Sequence, residues 1–210
     1  WPGSRRVCAK LSVSYDVDHG RRPMKRVCVF CGSRDGTRDQ YVASARGRGQ
    51  ALARRGIGLV YGGGGIGLMG ILADAALSAG GDVIGVIPEA LVAREVAHQG
   101  LGDLRVVASM HDRKALMAEL SNAFVALPGG FGTLEEFCEA LTWAQLGIHR
   151  KPCGLLNVEG FFDPLLSLFD HAVRERFVSP DHRSLVVVEE DPERLLDALS
   201  RWEPPALERL

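Results

Sequence analysis

The string Pro128-Gly129-Gly130-Phe131-Gly132-Thr133-Leu134-Glu135-Glu136 carries groups suited to holding a phosphate and working beside it. It follows an apolar run, Ala123-Phe124-Val125-Ala126-Leu127, and precedes a helical pattern from Leu134 to Leu146. A strand that breaks into glycines and opens into a helix brings backbone N–H groups up to an anion, where the helix dipole favours negative charge. Thr133 adds a hydroxyl at the helix start, and Glu136 sets a carboxylate one turn inside. The same residues satisfy a plainer pattern as well. Thr133-x-x-Glu136 is a capping box, in which each side chain bonds an orphan N–H of the first turn. Both readings, chemistry on a phosphorylated substrate and simple helix capping, are open on these residues alone.

Two other segments bear on the choice. Tyr61-Gly62-Gly63-Gly64-Gly65-Ile66-Gly67-Leu68-Met69-Gly70 sits at another strand-to-helix junction, where a backbone can approach a ligand closely. Gly62, Gly64 and Gly67 fit the G-x-G-x-x-G spacing of a dinucleotide fold, but the acidic partner is misplaced: Asp82 precedes the next strand and Glu89 follows Pro88. A sugar or phosphate contact or a packing role fits better than NAD. Cys31-Gly32-Ser33 ends the first strand and is expected to line the same crevice. In Met110-His111-Asp112-Arg113-Lys114-Ala115-Leu116-Met117 two adjacent cations stand near a helix start, against the helix dipole. An anionic partner explains them, with a solvated pair as the alternative; Arg113 can grip a phosphate bidentately and Lys114 acts as a point charge. Glu95, beside Arg94, reads from spacing alone as a surface charge.

The elements that must position these groups alternate along the chain. Strands are expected at Val27–Cys31, Ile57–Tyr61, Val83–Ile87, Leu104–Ala108, Ala123–Leu127, Cys153–Asn157 and Leu185–Val188. Helices are expected at Asp39–Arg55, Leu68–Ala79, His111–Ser121, Leu134–Leu146, Phe161–Arg176 and Pro192–Arg201. Short, continuous Val/Ile/Leu runs between helices imply an α/β fold: one Rossmann-like, doubly wound domain, mainly parallel, with helices on both faces. Ligands of such folds bind beyond the carboxyl ends of the strands.

Bulk properties narrow the function further. The 210 residues suit a single domain, and a net charge of −1 gives no electrostatic footprint for nucleic acid or an anionic membrane. No run approaches the roughly 18 to 20 apolar residues of a spanning helix. The five cysteines lack disulfide-scaffold spacing. Cys28-Val29-Phe30-Cys31 matches C-x-x-C, but within a strand residues three apart point to opposite faces, so two buried thiols are expected. The six histidines are scattered, and no metal site is expected. Residues 1–23, with Arg5-Arg6 and Arg21-Arg22, are expected to be a disordered extension, 24–203 the domain and 204–210 a tail. The expected location is the cytoplasm.

Together the segments resemble the LONELY GUY family of cytokinin-activating phosphoribohydrolases, whose members were often labelled lysine decarboxylases. Phe30-Cys31-Gly32-Ser33, Gly62–Gly70, Met110-His111-x-Arg113-Lys114 and Pro128-Gly129-Gly130-x-Gly132-Thr133-x-x-Glu136 carry the resemblance. Thr142-Trp143-Ala144-Gln145-Leu146-Gly147-Ile148-His149 and Lys151-Pro152-x-Gly154-Leu155-Leu156-Asn157 extend it, over about Met24 to Leu199. The resemblance implies hydrolysis of the N-glycosidic bond of an N6-substituted adenosine 5′-monophosphate, with no cofactor, in a homodimer whose site lies near the subunit interface. It implies Arg113 and Glu136 as the catalytic pair. Substrate contacts carry over to Glu95, Arg113, Lys114, Gly130, Phe131, Gly132, Thr133, Leu134, Glu135, Glu136 and Thr142. Asp112 and Arg34 depart from the family pattern without removing a proposed catalytic group. A pyridoxal-phosphate enzyme would need a Schiff-base lysine, and of Lys10, Lys25, Lys114 and Lys151 only Lys114 lies in a motif, beside Arg113. A general nucleoside-monophosphate nucleosidase and a non-catalytic nucleotide carrier of the same fold are the alternatives.

Overall fold

Runs of Val, Ile, Leu and Cys only four to six residues long become strands because helices shield them on both sides. In the computed structural model, which describes residues 24–92 and 97–205, these are β1 (Arg26–Phe30), β2 (Gly58–Tyr61), β3 (Val83–Pro88), β4 (Asp103–Val107), β5 (Ala123–Ala126), β6 (Cys153–Leu156) and β7 (Val186–Glu189). They form one sheet in the order β4-β3-β2-β1-β5-β6-β7, and each neighbouring pair is parallel. The helices are α1 (Asp39–Arg54), α2 (Gly67–Ser78), α3 (Glu89–Val92), α4 (Met110–Leu120), α5 (Phe131–Gln145), α6 (Asp163–Arg174), α7 (Pro180–Arg183) and α8 (Pro192–Arg201). This is the doubly wound arrangement expected from the alternation of patterns.

Strand order decides where a ligand can sit. From β1 the chain winds outward to β4, then returns to the other side of β1 to lay down β5, β6 and β7. The connections leave β1 and β5 in opposite directions, so a crevice opens at their carboxyl ends. Register across it is fixed by Val27 opposite Ala123 and Val29 opposite Val125. Asn122 locks the start of the pair: its side-chain oxygen accepts from the N–H groups of Lys25 (2.9 Å) and Arg26 (3.0 Å).

Alternation along β1 splits the core in two. Val27, Val29 and Cys31 join Leu52 of α1, Leu72 of α2 and Leu196 of α8 on one face. Cys28 and Phe30 join Met117 of α4 and Phe137 of α5 on the other. The C-x-x-C thiols are therefore separated by the sheet and free. Burial holds both above the ordinary thiol range, and the negative charge of Glu136 adds to it.

Three differences from the sequence expectation have clear causes. The four-residue helices α3 and α7 are too short to show a period. Helix α5 starts at Phe131, three residues earlier than expected, because Gly130 is itself an acceptable N-cap.

Arg48 is a fully buried cation on α1. Its Nη1 donates to the Pro192 carbonyl at 2.8 Å, while Nε and Nη2 find no hydrogen-bond partner among the described residues. Burial, helped by the charge of Arg55, lowers its affinity for the proton. Nearby Glu193 is occupied by Arg54 and Arg55 at the surface. A buried charge with incomplete pairing costs more in desolvation than it returns. Arg48→Met is expected to raise stability by about 1–2 kcal/mol, read as a higher urea midpoint at unchanged denaturant slope.

Candidate active site

Gly32, just past β1, joins the two sides of the crevice. Its N–H donates to the Pro128 carbonyl (3.1 Å), and its own carbonyl accepts from the Met69 N–H of α2 (3.3 Å). The loop after β5 and the start of α2 are thereby tied to one residue. Gly67 completes this contact: it has φ +62°, and any Cβ there would run into the Ser33–Arg34 backbone. The resulting cleft, of about 410 Å³, is bordered by Gly32–Gly36 and Pro128–Gly130, with Tyr41 and Phe161 as its aromatic wall. Those two rings meet edge to face, 5.7 Å apart. Neither was singled out from the sequence, where an aromatic residue near a helix start looks like any core residue.

The start of α5 opens at this crevice. Gly130 is the N-cap, with φ −94° and ψ −155°, and no side chain caps the first turn. Thr133-x-x-Glu136 is therefore not a capping box: Thr133 is the third residue of α5 and Glu136 the sixth. Thr133 is buried, and its hydroxyl packs on Gly129, where a Cβ would collide with it. It shapes the loop from behind. The first-turn N–H groups remain the anion-binding feature expected of a glycine-rich strand-to-helix junction. Phe131 lies at the mouth, 93% exposed.

Arg113, in the first turn of α4, is only 5% exposed. Ser109 caps that helix, accepting from the Asp112 N–H at 3.1 Å and donating its hydroxyl to the Asp112 carboxylate at 2.7 Å. The short Asp112 side chain thus serves the cap. The guanidinium Nη2 of Arg113 donates to the Gly62 carbonyl at 3.1 Å. It occupies the very volume a Gly62 side chain would need. The charges of Arg113 and Glu136 both act on the buried Cys28 thiol, the first lowering and the second raising its pKa. Glu136 acts on Cys31 as well, so its charge is felt on both sides of the sheet at the end of β1. Glu136, past the first turn, lies beyond the part of a helix where the dipole is strong.

Other expected contacts are distributed differently. Lys114 Nζ bridges Glu135 (2.6 Å) and Glu139 (3.0 Å), joining α4 to α5. Burial lowers its pKa, but the two carboxylates outweigh that and hold it above the ordinary lysine value. Leu134 is partly buried against the α4/α5 core, and its N–H donates to the Gly130 carbonyl. Gly132 is exposed next to Phe131. Thr142 is exposed, and its hydroxyl donates to the Cys138 carbonyl of its own helix. At 1.5 Å per residue it is about 14 Å along α5 from Thr133. Glu95 lies outside the described residues. Among those residues no group of three or more His, Cys, Asp or Glu side chains could hold a metal ion, and no helix is long and apolar enough to cross a membrane.

A parallel sheet with a glycine-lined switch point and a buried arginine beside an open helix start defines a doubly wound α/β protein built to hold an anionic ligand. Solved structures share the architecture. The molybdenum cofactor carrier protein of Chlamydomonas reinhardtii superposes with a TM-score of 0.66 at 24% identity, over 85% of this chain and 97% of the carrier. The molybdenum cofactor binding protein of Rippkaea orientalis gives 0.63 at 24%, over 83% and 94%. At that identity the likeness is one of fold. Residues 69–199 match the family described as "Possible lysine decarboxylase". The cytokinin riboside 5′-monophosphate phosphoribohydrolase of Oryza sativa subsp. japonica is 50% identical over 184 residues, 88% of this chain and 76% of the relative. An Arabidopsis thaliana protein of that name is 52% identical over 180 residues, 86% and 84%. The chain belongs to the family of these phosphoribohydrolases.

Gly62→Ala forces the Arg113 guanidinium from its seat, and a loss of about 1–3 kcal/mol in stability is expected. Gly130→Ala meets nothing within 4 Å and loses only the better N-cap, so a cost of no more than about 1 kcal/mol is expected. Chemical denaturation of the two variants side by side checks the contrast.

Proposed function

We propose that this chain hydrolyses the N-glycosidic bond of N6-substituted adenosine 5′-monophosphates, releasing the free base and ribose 5-phosphate. The observation that carries the proposal is the buried Arg113, seated on the Gly62 carbonyl at the end of β2, together with the open, glycine-led start of α5 that carries Glu136. The roughly 50% identity to proteins named for this reaction supports it.

Each group has a role its chemistry suits. The Gly130–Thr133 backbone and Arg113 hold the 5′-phosphate, turning binding energy remote from the reacting carbon into orientation. Departure of the base from C1′ leaves positive charge on the ribose, as in other glycoside hydrolyses. Glu136 stabilises that charge and directs a water to C1′, accepting the proton the water loses. The bonding pair of the C1′–N bond leaves with the base, which gains a proton from solvent. Of the remaining contacts, Phe131, Gly132, Leu134 and Glu135 follow the loop that holds the phosphate, and Glu95 and Lys114 complete the set. Lys114 enters that set with its α5 carboxylate partners as competitors.

Thr142 fits the same scheme through a second subunit. It stands about 14 Å along α5 from Thr133, well away from the phosphate-holding loop of its own chain. Leu146 (56% exposed) and Ile148 (52%) stand just beyond it, an apolar end suited to a second copy of this chain. A homodimer with its sites near the interface is therefore part of the proposal, as are a cytoplasmic setting and residues 24–203 as the functional unit.

Base release from isopentenyl-AMP, AMP and isopentenyladenosine tests the reaction. Expected are release from isopentenyl-AMP, weak release from AMP and none from the unphosphorylated riboside. Comparable cleavage of AMP would mark a general nucleosidase, and nucleotide binding without release a carrier. Glu136→Gln is expected to bind nucleotide normally and lose turnover by about 10²- to 10⁴-fold. For the assembly, light scattering after gel filtration should give a dimer, and Leu146→Glu with Ile148→Glu a monomer.

A further inference from the structure

The mechanism leaves one buried, fully engaged histidine unused. His98 lies between α3 and β4 and is 9% exposed. Its Nε2 is 3.0 Å from the Asp74 carboxylate of α2, and its Nδ1 accepts from the Gly100 N–H at 3.1 Å. An acceptor role for Nδ1 puts the proton of the neutral ring on Nε2, which donates it to Asp74. The backbone is engaged too. The His98 N–H donates to the Gly63 carbonyl at 3.0 Å, and Ala97 forms an antiparallel bridge with Gly64.

Those contacts fall on the turn that seats Arg113. The carbonyl of Gly62 receives the guanidinium, and the carbonyl of the next residue receives His98. Four glycines in a row, Gly62 to Gly65, give this turn little conformational preference of its own. Gly63 holds φ +76°, one of several conformations open to glycine, so neighbouring contacts must select it. Beside it, Ile87 and Leu104 supply only packing contacts. Directional restraint comes from His98, and His98 is fixed in turn by Asp74.

We propose that the His98–Asp74 pair positions the Gly62–Gly65 turn and, through the Gly62 carbonyl, aims the Arg113 guanidinium at the substrate. His98 touches no reacting atom; it is a positioning residue. The proposal rests on Arg113 serving the reaction described above. It also states what α2 does for the site: Asp74, two turns into that helix, extends the rigidity of the helix to a turn made only of glycine.

The test uses four variants of the full chain: His98→Ala, Asp74→Ala, the double variant, and Asp74→Asn, whose amide oxygen still accepts from Nε2. Kinetics on isopentenyl-AMP are run well below each unfolding temperature, together with amide hydrogen exchange of the segment 60–68. The two alanine variants are expected to lose about 10- to 100-fold in kcat/KM, and the double variant no more than the worse single one. Exchange in the segment should rise in all three. Asp74→Asn should stay within about threefold of the parent and keep its protection, a rescue that follows from the retained acceptor. Unchanged kcat/KM in folded His98→Ala, or unchanged exchange at 60–68, would overturn the proposal by leaving the pair a purely structural role. So would full activity in Asp74→Ala beside a disabled His98→Ala. Failure of the functional reading is separable: Arg113→Ala would then keep parental turnover, or the parent would release no base, while the exchange result stands by itself.

Discussion

Gly32 makes two backbone hydrogen bonds, one to the loop after β5 and one to the start of α2, and the geometry of the site follows from them. The strand it ends is the centre of the sheet, and each bond draws in an element from a different half of the fold. Such closeness demands residues without side chains where backbones meet, and Gly67 and Gly129 meet that demand on the two sides. Both the cleft and the exposed start of α5 result from backbone-to-backbone packing. Side chains enter only where the scaffold leaves them room, as Gly62 does for Arg113.

Electrostatics at the site is organised by the sheet. Arg113 and Glu136 arrive from neighbouring helices on one face and act on the same buried thiol. Lys114, one residue from Arg113, turns instead to Glu135 and Glu139 and ties the two helices together. Adjacent cations thus divide the labour. The buried guanidinium is seated on the Gly62 carbonyl at the end of β2, and the ammonium bridges α4 to α5 through Glu135 and Glu139.

Much of this was legible in the sequence, for identifiable reasons. Val27–Cys31 and Ala123–Leu127 read as strands because burial on both faces makes them apolar without interruption. Arg113 stood out because a cation opposes the dipole at a helix start. The start of α5 was misplaced because glycine at 130 and 132 looks like loop, and that error made Thr133 and Glu136 resemble a capping box. Tyr41, Phe161 and the His98–Asp74 pair were invisible for a different reason. Their importance comes from contacts across distant segments, such as that between Asp74 and His98, 24 positions apart, and no local period records such a contact. Thr142 illustrates the converse: the resemblance marked it, and the single chain holds it far from the residues it was grouped with.

The pairing of β1 with β5 has a consequence for how the chain is made. The hydrogen bond from Lys25 to Asn122 joins residues 97 positions apart, so the central strand waits for that length of chain to follow it during synthesis. Until then β1 can pair only with β2, and its other edge stays open. Strands left open in this way are slow to find their partners and invite association with other nascent chains. The crevice thus takes shape only once β5 and the start of α5 have followed the first four β-α units, and chaperone demand should be greatest before then.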